Sequence, residues 1–483
     1  MRLCIIGSGA AGLMAANYFN FWNPLTEIIV VGSPEILPIG VGESNTLSLV
    51  NFHNQMGISN EDFITQSDAS VKTGVYYKNW SEHDFIHNFK GEEPWKTLQI
   101  SAVSYFQSFG NKGGDTTFHD YYGHDLMEII KQNHIFLDGG KTYPISYHFD
   151  AAKYINFLKT NLHTNAKRKI SYIEKTVVAC TFAENEKIDK IILDDNLVVK
   201  ADYYIFAVGS SSFTEKILGI KYESLSDVLL TNKAFVYPLE FTNKRQQFHP
   251  YTVAKTMKCG WRWITPTWSR IGTGYVFSDR HITPEKALEE FLNDIGDNTI
   301  TPRLIDFSPR YSKKTFYDNF CLLGMANGFL EPLDAPGLTL TIQALRELSV
   351  IFNEKYYLND LESSHFYVEK SNEEMIFQYK FWASFILTQY KTSQRNDTDF
   401  WVDHKNVEYD YYNYLMDGMK MPTQNETLLR NRDMLYHTIS AKNVTWDVPY
   451  TRKPFKIPAL SCDSMHHEDY INFFHSKRGL TTP

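Results

Sequence analysis

The chain opens with Leu3-Cys4-Ile5-Ile6, an unbroken apolar run of strand length, followed by the small-residue segment Gly7-Ser8-Gly9-Ala10-Ala11-Gly12. Leu13 to Phe21 then carries a helical pattern, and Thr26 to Val31 is a β-branched strand bounded by Gly32. This order predicts strand, tight turn, helix and second strand. Farther on, Ile188 to Leu193 and Tyr203 to Phe206 read as a strand pair flanking the turn-like Asp194-Asp195-Asn196. Phe320 to Leu323 reads as another buried strand, leading through glycines into a helix from about Gly337 to Phe352. Beyond residue 350 the pattern is mainly helical and rich in Tyr, Phe and Trp, and no internal repeat is visible. The expectation is an α/β fold of two lobes. Residues 1–345 form the first, with an 85–140 insertion contributing to the second, and residues 346–483 form a helical second lobe.

Composition narrows the class. With 43% hydrophobic and 22% charged residues the 483-residue chain matches an ordinary globular protein. A net charge of -8 argues against nucleic acid as a partner. No apolar run reaches the roughly 18 residues of a membrane span, and the first residues lack a signal-peptide pattern. The five cysteines are scattered, without metal-ligand spacing, which suits a reducing cytoplasm, no disulfide framework and no metal. Aromatic content is high at 15%, enough to line a pocket for a flat ligand.

Gly7, Gly9 and Gly12 form G-x-G-x-x-G between a strand and a helix. The first glycine permits the turn, the second lets backbone approach a pyrophosphate, and the third lets helix pack on strand. The acid that usually binds a ribose would end the second strand, where this chain has Gly32 and then Ser33. Ribose recognition is therefore left to Ser33 or a later residue. Tyr203 to Gly209 and Leu323 to Gly328 have the form of segments that return to a flavin, which favours FAD over NAD. Each is also readable as a plain buried strand with a tight turn.

Five further segments carry a resemblance. These are Gly40-Val41-Gly42-Glu43-Ser44, Val71-Lys72-Thr73-Gly74 ahead of Asn79-Trp80, Trp261-Arg262-Trp263-Ile264-Thr265-Pro266 and Phe329-Leu330-Glu331-Pro332-Leu333-Asp334. The fifth is Gln389-Tyr390 with Arg395, Asp397-Thr398 and Phe400-Trp401. In order and type they resemble the flavin-dependent tryptophan-halogenase family over residues 3–401, with threonine at 265 and aspartate at 334 where the family has isoleucine and glutamate. The resemblance implies a flavoprotein monooxygenase-like fold with a Rossmann-type FAD lobe and a mainly helical substrate lobe. It implies FAD contacts from Gly7, Gly9, Ala10, Ala11, Gly12, Ser33, Ile36 and Ile39, from Gly40 through Ser44, and from Gly209, Met325 and Leu338.

The same resemblance implies that reduced FAD and oxygen convert halide to hypohalous acid, which reaches a second pocket and halogenates an electron-rich aromatic ring. Lys72 would hold the oxidant or form a haloamine, and Asp334 would orient it and accept the ring proton. A solvated lysine and a helix cap are the plain readings of these two residues, and Glu331 is the fallback carboxylate. Trp261 and Trp263 would wall the flavin from the substrate, or simply pack in a core as two aromatics on one strand face. Halide would lie at the backbone of Pro336 and Gly337, and because proline has no N–H, bromide or iodide should be preferred to chloride. With one dinucleotide motif, a separate NADH-dependent flavin reductase is expected to reduce the FAD. A small homo-oligomer is the expected assembly. Indoles, phenols and pyrroles are all open as substrates. Candidate substrate contacts are Tyr409, Tyr411, Tyr412, Tyr414 and Trp446, with Phe106, Phe109, Tyr121 and Tyr122. A single-component flavin hydroxylase and a catalytically silent flavin-binding protein are the alternatives.

Overall fold

A computed structural model of the chain describes residues 1–22, 25–34, 43–80, 84–88, 133–138, 141–142, 145–183, 187–210, 212–414 and 463–478. Arg2–Ile6 and Glu27–Val31 lie side by side as parallel strands, with the helix Ala10–Phe19 between them in sequence. They belong to a five-stranded sheet ordered Lys169–Ile173, Glu27–Val31, Arg2–Ile6, Tyr203–Phe206, Phe320–Leu322, in which every neighbouring pair is parallel. Parallel strands are covered on both faces and so need continuous apolar runs. Leu3 to Ile6 and Tyr203 to Phe206 meet that need, buried at every position.

The expected pairing of Ile188–Leu193 with Tyr203–Phe206 does not occur. Asn196 takes a left-handed φ of 65°, and the chain doubles back at once so that Val198–Val199 pairs with Ile188–Leu193. Val177–Phe182 completes that small antiparallel sheet. Tyr203–Phe206, apolar on both faces, goes to the parallel sheet instead.

A second large sheet, not anticipated from the sequence, has seven strands in the order Arg303–Asp306, Lys233–Leu239, Ile271–Phe277, Gly260–Pro266, Thr252–Met257, Gly74–Lys78, Phe85–Asn88. All its pairs are antiparallel except Thr252–Met257 with Gly74–Lys78. A small sheet of Glu43–Ser44, Ser146–Phe149 and Ser70–Lys72 adjoins it. The chain passes from one sheet to the other at Thr73, whose N–H and hydroxyl both donate to the Pro250 carbonyl at 2.8 and 2.7 Å.

After residue 335 the described chain is mainly helical, as expected. Pro336–Phe352 packs along the 31-residue helix Leu361–Lys391, which Asp360 caps by accepting the Ser363 N–H. Asp399–Asn406 follows. Asp463–His466 is a strand, antiparallel to His134–Asp138, and runs into the helix His467–Lys477. No helix among the described residues is long and apolar enough to cross a membrane.

Candidate active site

The turn at Gly7 to Gly12 has the geometry a dinucleotide requires. Gly7 has φ 117°, and a Cβ there would lie 2.1 Å from the Ala207 carbonyl oxygen, while a Cβ on Gly12 would lie 1.9 Å from the Gly7 oxygen. Both glycines are compelled by backbone packing. Gly9 is different: a Cβ would meet no protein atom within 4 Å, and Gly9 caps the helix Ala10–Phe19 with no side-chain bond. Open space before unclaimed first-turn amides fits a pyrophosphate.

The absent ribose acid also has a physical reason. A Cβ at Gly32 would lie 2.1 Å from the Ser8 hydroxyl oxygen, so Ser8 fills the position an acid would use. Ser33 shares a hydrogen bond with Thr176, Oγ to Oγ1 at 2.9 Å. Gly324 (φ 63°) brings its Cβ position within 2.8 Å of the Ala11 Cβ, which carries the Met325 segment back against the first helix. Leu338 lies in the first turn of Pro336–Phe352, and Gly209 has a left-handed φ of 67°. Glu43 and Ser44 sit in the small sheet, whereas Ile36, Ile39, Gly40, Val41 and Gly42 fall outside the described residues.

Lys72 ends the strand Ser70–Lys72 opposite Ser146 and is only 1% exposed. Its Nζ donates to the Asn45 carbonyl at 3.0 Å. Burial draws its pKa from 10.5 down to about 8, against the opposing pull of the Asp334 charge. The solvated-lysine reading does not hold.

Asp334 and Ala335 both adopt left-handed backbone, with φ 61° and 55°, which is uncommon outside glycine. Ala335 is the cap residue of Pro336–Phe352 and makes no side-chain cap bond, so the Asp334 carboxylate is not the cap. It turns inward instead. Its Oδ1 accepts from the Tyr77 hydroxyl at 2.6 Å, and its Oδ2 from the Gln389 side-chain amide at 3.3 Å. Pro336 is buried at the helix start, and Gly337 beside it is exposed with open space where a Cβ would project.

Glu331 is the more deeply committed carboxylate. It accepts from the Thr231 hydroxyl at 2.5 Å, the Tyr390 hydroxyl at 2.7 Å and the Trp261 indole N–H at 3.1 Å. Burial raises its pKa to about 7, and the three donors work against that rise. Its geometry is that of an anchor for Trp261. Trp261 and Trp263 are two residues apart on Gly260–Pro266, both buried, with ring centroids 6.2 Å apart. Trp263 covers Gly274, where a Cβ would come within 2.1 Å of the indole. Aromatic burial and a fixed indole thus coincide, and the core and wall readings are compatible here.

The structure brings Lys72 and Asp334 into electrostatic contact and sets beside them two residues not singled out from the sequence, Asn45 and Tyr77, with Thr231 on Glu331. Tyr77 stands five positions after Lys72, between Val71-Lys72-Thr73-Gly74 and Asn79-Trp80, and nothing in its spacing marks its partner. His467 accepts the Val71 N–H at 2.9 Å, so the residue beside Lys72 is held by the helix His467–Lys477. Of the substrate candidates, Tyr411 contacts Phe377 (6.2 Å) and Tyr409 (6.3 Å) beside the long helix. Trp446, Phe106, Phe109, Tyr121 and Tyr122 lie outside the described residues.

Comparison with known proteins identifies the family. The tryptophan halogenase RebH of Lentzea aerocolonigenes, a tryptophan 7-halogenase, is 25% identical over 439 residues, covering 87% of this chain and 80% of its own. ThaL of Streptomyces albogriseolus, a tryptophan 6-halogenase, is 26% identical over 426 residues, 84% of this chain and 78% of its own. Among solved structures, a tryptophan halogenase from Shewanella frigidimarina superposes with a TM-score of 0.82 at 20% identity, covering 99% of this chain and 93% of that one. The flavin-dependent halogenase Xcc4156 of Xanthomonas campestris superposes at 0.79 with 22% identity, covering 99% and 94%. These structural likenesses establish the two-lobed flavoprotein fold. A family model described as Tryptophan halogenase matches residues 2–455, and the chain belongs to that family of FAD-dependent enzymes that halogenate aromatic substrates.

Proposed function

We propose that this enzyme halogenates an electron-rich ring of the indole, phenol or pyrrole type, with Lys72 and Asp334 at the reacting atoms and bromide or iodide preferred to chloride. The observation that carries the proposal is a buried lysine drawn to a pKa of about 8 in the field of a carboxylate that two side chains hold in place. Bound reduced FAD, supplied by a separate reductase, would provide with oxygen the oxidation of halide to hypohalous acid. Gly7, Gly9, Gly12 and the amides of Ala10 and Ala11 would hold its pyrophosphate. Lys72 in its ammonium form donates a hydrogen bond to the hypohalous oxygen and makes the halogen more electrophilic. With a pKa of about 8, roughly a tenth of the molecules carry the free amine at pH 7, against fewer than about one in a thousand for an ordinary lysine. The free amine is what haloamine formation would need. Asp334 accepts the proton that the ring loses. On this reading residues 1–345 are the FAD lobe and 346–483 the substrate lobe, with Pro336–Phe352 crossing between them, and the enzyme works in the cytoplasm.

The halide preference follows from the first turn of that helix. Pro336 cannot donate, so Gly337 alone of the pair offers an amide. Chloride, the smaller and more strongly hydrated ion, depends most on each donor, and a hydrogen bond to a charged group is worth ~1.5–3 kcal/mol. Larger halides are also easier to oxidise. The reaction is tested with reduced FAD, oxygen and bromide, offering indole, phenol and pyrrole in turn and identifying products by mass spectrometry. A brominated ring is expected. A hydroxylated ring, or no product from any of the three, overturns the proposal.

A further inference from the structure

The family segment ends in glutamate where this chain has Asp334, one methylene shorter. The structure contains two adjustments at that position. The backbone of Asp334 and Ala335 is left-handed at two successive non-glycine residues, a conformation that L side chains rarely adopt. Opposite, the Tyr77 hydroxyl donates to the carboxylate at 2.6 Å from a side chain with no exposed surface. Tyr77 packs in a T-shaped contact with Trp80, with ring centroids 5.5 Å apart at 79°. Its strand, Gly74–Lys78, begins two residues after Lys72, so one stretch of chain bears both the lysine and the donor to its carboxylate partner.

We propose that Tyr77 is a positioning residue for the catalytic carboxylate, and that its hydroxyl fixes the orientation of the shorter acid. This rests on the reading of Lys72 and Asp334 given above. Burial and the charges of Asp334 and Glu331 hold the Tyr77 phenol well above its ordinary range, so it remains a donor at any working pH. Gln389 bonds the other carboxylate oxygen from the long helix, so the two donors together fix the direction of the carboxylate. With the Tyr77 hydroxyl already 2.6 Å from Oδ1, a carboxylate one methylene longer could not keep this contact without moving one of the two side chains. Tyr77 and residue 334 therefore form a pair, in which removing the hydroxyl would make room for a longer acid.

The pair predicts reciprocal rescue. Tyr77→Phe should lose roughly ten- to a hundredfold in kcat for bromination, the scale of one hydrogen bond to a charged group, with KM little changed. Asp334→Glu should be impaired as well, because its carboxylate meets the tyrosine hydroxyl. The Tyr77→Phe/Asp334→Glu double variant should recover to within about threefold of the wild type. All four proteins are assayed with reduced FAD, oxygen and bromide against indole, phenol and pyrrole, beside measurements of FAD affinity and thermal midpoint. A purely structural role for Tyr77 would lower the midpoint and would not be rescued by a longer acid. A Tyr77→Phe variant retaining more than about a third of wild-type kcat, or a double variant no better than its worse parent, overturns the proposal. If the wild type itself gives no brominated product, the assignment of the reaction falls and this proposal falls with it. An active wild type with unaffected variants removes the positioning role alone.

Discussion

Replacing Lys72 by methionine should make the protein more stable at neutral pH relative to its stability in alkali. The amine is 1% exposed, and burial draws its pKa from 10.5 to about 8. A fall of that size corresponds to about 3 kcal/mol against the ammonium form in the folded protein. Below pH 8 the amine is protonated in both folded and unfolded chains, and the whole penalty is present. Between pH 8 and 10.5 the unfolded chain binds a proton that the folded chain has released, so the wild type gains stability on the variant as pH rises. Above pH 10.5 neither state is charged and the penalty is gone. The substitution also strips the Asn45 carbonyl of its 3.0 Å donor. That costs about 1–3 kcal/mol, but equally at every pH. The sign at pH 7 is therefore a near balance, whereas the pH dependence of the difference belongs to the amine. Urea unfolding of both proteins, at one fixed FAD concentration and at steps between pH 7 and 10.5, reads that difference directly. Buried tyrosines that titrate in alkali are common to both proteins and drop out. The variant's relative stability should fall by about 3 kcal/mol across the window. A difference that stays flat to within about 1 kcal/mol would refute the argument that Lys72 is held as a strained cation.

Four other outcomes are expected. Lys72→Ala should keep less than about a tenth of wild-type halogenation, a loss of more than ~1.4 kcal/mol of barrier lowering, with FAD affinity unchanged; faster turnover would remove the lysine from the chemistry. Anaerobic mixing of the protein with FAD and NADH should leave the flavin oxidised until a reductase is added, and rapid bleaching without one would contradict a two-component enzyme. With equal chloride and bromide, then equal chloride and iodide, bromide or iodide should be incorporated better than chloride in product made while free hypohalous acid is scavenged, and chloride incorporation at or above both would count against the missing Pro336 amide. Glu331→Ala should cost about 3 kcal/mol or more in denaturant unfolding, since it strands the Thr231, Tyr390 and Trp261 donors together; a loss below about 1 kcal/mol would show the network to be slack.

The parts of the site legible in the sequence are those whose chemistry depends on neighbours along the chain. The turn at Gly7 to Gly12 is local, because Gly12 is required by the Gly7 oxygen five residues away. Lys72, the paired tryptophans and Asp334 stand out in motifs. What the sequence conceals is pairing over long separations. Tyr77 reaches a carboxylate 257 positions on, and Thr231 one 100 positions on. The seven-stranded sheet is concealed for a different reason. Ile271–Phe277 is buried at all seven positions, and Gly260–Pro266 nearly so, so neither shows the alternation that marks a half-exposed strand. The misassigned hairpin near residue 195 came from reading past the two-residue strand Val198–Val199, too short to register as a pattern.

The hydrogen bond from the Val71 N–H to His467 spans 396 positions of sequence. A ribosome adding about 5–20 residues per second takes roughly 20 to 80 s to cover that distance. During that interval the remaining three strands of the parallel sheet are made, the last ending at Leu322, while the strand bearing Lys72 still lacks its last fastening. The glycine turn and the whole parallel sheet are therefore synthesised before the segment that secures Val71.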